Sequence, residues 1–332
     1  MNESPAVETK ARGQRGQDGV LFAITSPDGI SRSALRKASY LAAALGTELE
    51  LFYRAFDPNI LPPSRLSSRS VEEDIHEYVE QRRKQLWSLV EELRTPGLSV
   101  RSRVEWDNCP DEGIVREVLR RQPALLVVES FRKGPAERLL FEKTVHRLIE
   151  TCPCPLLLIR TACAYPPHPR IVASVDPMHA HAKPAALDDA IVTAASAVSD
   201  GLGGELHLFH ARVPWAVASH QVRGLRWVPD VAKDDEQVAY EHVVCSRVTD
   251  LAQRHNIPCL RVHVVDGEVT DCLPSFLRAD PVDIVAIGAL SRSLLQRMLI
   301  GNTTRRLVDD LNCDVLVVKP PGFRTPVSPP EP

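Results

Sequence analysis

The residues of this chain best suited to chemistry gather in its second half. Asp176-Pro177 ends one apolar run, Gly288 ends another, and Gly301-Asn302-Thr303 opens a segment with helical spacing. Glycines at such points let backbone N–H groups approach a phosphate, and a helix N-terminus adds free donors and the positive end of its dipole. Ser291 lies in the same stretch, and Arg292, Arg297 and Arg305 add positive charge. A plainer reading stays open beside this one. Gly301 as a loop glycine and Asn302 as an N-cap would serve the backbone whether or not an anion binds.

Other constellations are weaker. His179 and His181 beside Asp176 are metal-ligand types, but they sit in a loop without a fourth ligand, so solvated histidines are expected and no metal site is assigned. Cys152-Pro-Cys154 has the types of a redox pair, yet it leads into an apolar strand and lacks the CxxC spacing, which favours structural cysteines. No serine stands in a Gly-x-Ser-x-Gly turn. No catalytic residue is assigned, and a non-enzymatic protein is expected.

The elements that hold these residues come twice. Cys-Pro-Cys-Pro-Leu-Leu-Leu-Ile-Arg160 returns as Cys313-Asp-Val-Leu-Val-Val-Lys319, and a constant spacing of 159 residues relates Leu125 to Ile284, Leu148 to Leu307 and Arg160 to Lys319. A period of this length is a whole small domain. In each copy, short apolar runs alternate with segments of helical periodicity. Val20–Thr25, Leu49–Tyr53, Leu98–Trp106, Leu125–Val128 and Leu156–Ile159 read as strands of the first copy. Ile171–Val175, Leu206–Phe209, Leu260–Val264, Ile284–Ile287 and Val315–Val318 answer them. Alternation of this kind predicts two five-stranded, Rossmann-like parallel sheets with helices on both faces. Residues 1–18 are expected to be a disordered arm, 19–160 domain one, 161–169 a linker, 170–320 domain two, and 321–332 a disordered tail.

Composition sets limits on function. The formal net charge of −3 over 332 residues argues against direct nucleic-acid binding. No apolar stretch has the length of a membrane span, and nothing at the N-terminus resembles a signal peptide. Eight cysteines without a framework spacing fit a reduced, cytoplasmic protein.

The strand ending in Asp176, the strand ending in Gly288, the Gly301-Asn302-Thr303 helix start and the Cys313-Asp-Val-Leu-Val-Val318 strand together resemble a universal stress protein domain. Two copies in one chain resemble the tandem E type of that family. The resemblance implies a cytoplasmic binding or regulatory role in stress resistance, including resistance to DNA damage. It also implies antiparallel pairing of the last strands, Leu156–Ile159 with Val315–Val318, into an intramolecular pseudo-dimer. Pro155 and the charged Asp314 should limit that pairing at their ends. Some family members bind ATP through three spaced glycines, the last followed by Ser or Thr. Here Gly288 and Gly301 match, while Ser291 and Asn302 replace the middle glycine and the hydroxyl residue; Asp176 would complete the site. In the first copy Glu129 and Glu142 stand opposite Gly288 and Gly301, and Ser26 stands where Asp176 does, so nucleotide is expected in the second copy or in neither.

Two loops are long and apolar. The segment 213–229 carries Trp215, Leu225 and Trp227, and the first copy has Phe56 to Ser64 in its place. They either fold back onto the protein or cover an apolar ligand or partner. Three readings follow: a stress-response binding protein with an unidentified small-molecule or protein partner, an ATP-binding regulator, and an apolar carrier. Further homo-oligomerisation is compatible with all three.

Overall fold

The computed structural model describes residues 19–25, 30–61, 69–107, 110–130, 135–178, 186–215, 233–289, 308 and 311–329. The first copy runs β1 (Val20–Ile24), α1 (Arg32–Ala44), β2 (Leu49–Ala55), α2 (Val71–Leu93), β3 (Val100–Trp106), α3 (Pro110–Arg121), β4 (Leu125–Glu129), α4 (Pro135–Thr151) and β5 (Leu156–Ile159). The second runs β6 (Arg170–Ser174), α5 (Ala186–Leu202), β7 (Glu205–Arg212), α6 (Lys233–Arg254), β8 (Val262–Asp266), α7 (Val269–Ala279), β9 (Ile284–Gly288) and β10 (Asp314–Val318).

All ten strands form one sheet in the order β3-β2-β1-β4-β5-β10-β9-β6-β7-β8. Pairing is parallel inside each copy and antiparallel at the centre, where Leu158 faces Val315, Leu157 faces Leu316 and Leu156 faces Val317. The expected joint therefore forms, and it fuses two five-stranded sheets into one. An apolar end strand presents an unpaired backbone ladder, and the two copies satisfy each other's.

Strands covered on both faces need not alternate, which is why β1, β4 and β5 are buried at every residue. On one face α1, α2, α5 and α6 close a core that includes Phe22, Leu35, Leu41, Leu86, Ile191 and Leu251. On the other, α3, α4 and α7 cover Leu126, Leu148, Phe209, Val285 and Leu273. Each core runs through both copies. Where α1 and α5 meet, Gly201 admits the Leu45 side chain, since a Cβ there would stand 2.9 Å from Leu45 Cδ2.

Two expectations are corrected. Leu260 belongs to a short 3₁₀ turn, Cys259–Arg261, and is 93% exposed; β8 starts only at Val262. The tail expected to be disordered from 321 places Val327 in the lower core, and Lys319 Nζ lies 4.5 Å from the centre of the Phe323 ring. A Pro-rich sequence hides this anchoring because its apolar residues are isolated.

Candidate functional site

β6 lies between β7 and β9, where the strand order reverses, the point at which an open parallel sheet has a crevice at its strands' carboxyl ends. Asp176 and Gly288 both arrive there. The Asp176 N–H donates to Asp188 Oδ1 (3.0 Å) on the first turn of α5. Its carboxylate lies 4.0 Å from Nδ1 of the buried His210, and that nitrogen is 3.0 Å from the Val175 carbonyl, a contact that assigns it a proton. Gly288 has a packing reason of its own. A Cβ would meet Leu187 Cδ2 at 2.9 Å and Ile191 Cδ1 at 3.0 Å, so the glycine is what lets α5 lie on β9. Ser291, Gly301, Asn302 and Thr303 lie outside the described residues, as do Arg292, Arg297, Arg305, His179, His181, Leu225 and Trp227.

The corresponding crevice of the first copy contains its own anion. Glu129, 7% exposed at the end of β4, accepts the Ser31 N–H through Oε2 at 3.0 Å. Ser31 is the N-cap of α1, and its own side chain accepts from Ala34 N. The carboxylate thus sits at the helix N-terminus, where the dipole favours negative charge. Strand register corrects one correspondence. Val20 pairs with Leu125 as Ile171 pairs with Ile284, so Thr25, not Ser26, takes the place of Asp176. The conclusion that this copy lacks the acidic residue is unchanged. Glu142 falls on α4.

The joint between the copies is polar at one end. Asp314, the first residue of β10, is fully buried, and its Oδ1 accepts from the backbone N–H groups of Arg160 (2.8 Å) and Thr161 (3.0 Å). Its Oδ2 accepts from Lys37 Nζ (2.6 Å) and the Tyr165 hydroxyl (2.7 Å). Lys37 also donates to Thr161 Oγ1 at 2.6 Å. Burial, and then the Asp314 charge, push the Tyr165 hydroxyl well above its ordinary pKa. As expected, the central ladder stops short of both Asp314 and Pro155, and the Asp314 charge collects donors from β5's exit, the linker and α1.

The repeat agrees with the comparisons. A model described as the universal stress protein family matches residues 19–160 and 169–319. The chain belongs to that family. Universal stress protein E of Escherichia coli K12 is 23% identical over 308 residues, covering 92% of this chain and 96% of that one. The universal stress protein E homolog of Haemophilus influenzae is 20% identical over 310 residues, with 90% and 97% covered. Among solved structures, a functionally unknown protein of Pseudomonas aeruginosa PAO1 superposes with a TM-score of 0.67 at 20% identity, covering 92% of this chain and 94% of the other. A universal stress protein of Archaeoglobus fulgidus gives 0.58 at 15% identity, with 92% and 99% covered. These structural likenesses establish the fold.

Family membership leaves the particular site residues to the geometry. Trp215 packs on Tyr240 of α6, ring centres 5.4 Å apart, while the Tyr240 hydroxyl donates to the Val213 carbonyl at 2.9 Å. This tryptophan covers its own domain. Among the described residues no group of three or more His, Cys, Asp or Glu is placed to hold a metal, and no helix is long and apolar enough to cross a membrane. Sequence reasoning missed Lys37 and Tyr165, and also the stacked His207–His263 pair, whose Nδ1 and Nε2 are 3.1 Å apart across β7 and β8. One signal was available: Asp314 stands where the first copy has Pro155, a sharp departure from the repeat.

Proposed function

We propose that this universal stress protein acts in the cytoplasm as a non-enzymatic binding and regulatory protein in stress resistance, with at most one nucleotide site, in the second copy. The observation that carries this reading is the Glu129–Ser31 contact. A carboxylate already bonded at the α1 N-terminus repels a phosphate and occupies the donor a phosphate would need. In the second copy Asp188, 4% exposed on the first turn of α5, accepts the Asp176 N–H, but Gly288 stands where the first copy has Glu129, which keeps an ATP-dependent regulator as the alternative. The packing demand on Gly288 weakens that alternative, since the glycine serves α5 without any ligand. The apolar-carrier reading is weaker still, because Trp215 is engaged by Tyr240.

Calorimetric titration of the full chain with Mg-ATP tests the reading. It expects at most one equivalent bound, unchanged by Glu129→Gln. Saturation at two equivalents overturns it. A strain lacking the gene should survive DNA damage less well than its parent, and equal survival removes that part of the role.

A further inference from the structure

The repeat relates Cys152 to Leu311, Cys154 to Cys313 and Arg160 to Lys319. At the pseudo-symmetric positions of the joint, each basic residue reaches across to a backbone carbonyl of the other copy. Arg160 Nε donates to the Leu311 carbonyl at 3.1 Å, and Lys319 Nζ donates to the Glu150 carbonyl at 3.0 Å. The chemistry of the two positions differs. One has a guanidinium, a leucine and a single thiol; the other has an amine and two thiols, with Cys152 Sγ 3.5 Å from Cys154 Sγ.

We propose that Cys152 and Cys154 are a hydroperoxide-responsive dithiol, with Cys152 the attacking sulfur, Cys154 the resolving sulfur and Lys319 of the other copy the proton acceptor. Three features support this. First, the sulfurs lie 3.5 Å apart in two residues separated only by Pro153, against the roughly 2.05 Å of a disulfide. Second, Lys319 is 8% exposed, and burial depresses its pKa to about 8, while the charge of a Cys152 thiolate is the largest influence in the opposite direction. An amine of this kind is unprotonated in a usable fraction from just above neutral pH, which the guanidinium of Arg160 is not. Third, the hydrogen bond with Cys152 and then burial hold the Cys154 thiol well above its ordinary pKa, so it remains the S–H donor. Cys313, without a second sulfur, is pushed up to about 12 by burial and Asp314.

The chemistry balances. Lys319 takes the Cys152 proton, and the thiolate attacks the peroxide, breaking O–O to give a sulfenic acid and hydroxide, which recovers the proton from Lys319 as water. The Cys154 thiol then displaces the sulfenic hydroxyl, forming S–S and releasing a second water. A dithiol reductant returns both thiols. Cys154 is half-buried and Cys152 buried.

Tryptic segment 148–160 carries both cysteines and no others, which makes the test direct. After the reduced full chain is treated with stoichiometric hydrogen peroxide, this segment should lose two hydrogens in mass and regain them with dithiothreitol. Cys154→Ser should stop at a sulfenic acid that dimedone traps on Cys152. Lys319→Arg keeps the charge but removes the proton acceptor, and should slow oxidation at neutral pH by about tenfold or more. The proposal fails if segment 148–160 of the natural sequence stays reduced, or is only over-oxidised, or bonds instead to Cys163. An unchanged rate in folded Lys319→Arg removes the lysine from the mechanism.

Discussion

Lys37 Nζ and Asp314 Oδ2 lie 2.6 Å apart, 3% and 0% exposed, and join the first helix of one copy to the last strand of the other. A pair this deeply buried is worth little against an apolar replacement of both partners, but the loss of one partner leaves the other charged and dry. Asp314→Ala should therefore destabilise the full chain by about 3–5 kcal/mol, and Lys37→Met Asp314→Leu by clearly less than the sum of the singles. Urea unfolding of the four proteins checks this; additivity would mean that the pair does not act as a unit.

Proline at Leu158 should break the central ladder. The position pairs with Val315 and sits between β4 and β10, so the lost N–H and the ring clash fall in the middle of the sheet. Leu158→Pro should cost about 3 kcal/mol or more and replace one cooperative melt with separate transitions. A single transition at the original temperature would show that the copies are not coupled through this strand.

Gly288→Ala tests the packing explanation of that glycine. The new methyl lies under 3.0 Å from Leu187 Cδ2, and the helix or its side chains must shift. A loss of about 1–3 kcal/mol is expected, without any nucleotide present. A neutral effect on stability would return Gly288 to the nucleotide reading.

The histidine pair gives a pH dependence. Burial, then Arg170, His263 and Arg261, lower His207 from 6.5 to about 4, against a weaker pull from Glu205, and His263 is lowered by burial and Arg170, against Asp280. Between these values the unfolded chain binds the proton and the folded one does not, so stability falls as pH drops from 6.5 towards 4. His207→Leu should make the decline between pH 6.5 and 5 shallower in equilibrium unfolding at fixed temperature. An unchanged slope would place the acid sensitivity elsewhere.

The fold was legible because buried parallel strands leave continuous apolar runs, and because two copies at constant spacing confirm each other: Leu125 with Ile284 and Arg160 with Lys319 marked the last two strands of both. The joint was legible for the same reason, since β5 and β10 are apolar and each ends a copy. What a single chain position does not reveal is its partner across the fold. Asp314 read as a charge at a strand end because Lys37, its counter-ion, is 277 residues away. Val327 was hidden in a proline-rich tail. On Ser291, Gly301, Asn302, Thr303, Leu225 and Trp227 the described residues have no bearing.

Antiparallel pairing of β5 with β10 inside one polypeptide also releases the protein from a constraint on homodimers. When two identical chains meet on a two-fold axis, every substitution appears on both sides. Here the halves can diverge independently, and they have: Glu129 stands against Gly288, and Cys152 with Cys154 against Leu311 with Cys313. Dilution cannot part them, and with both end strands spent on each other, neither half has that edge free to trade for a strand from a single-domain relative.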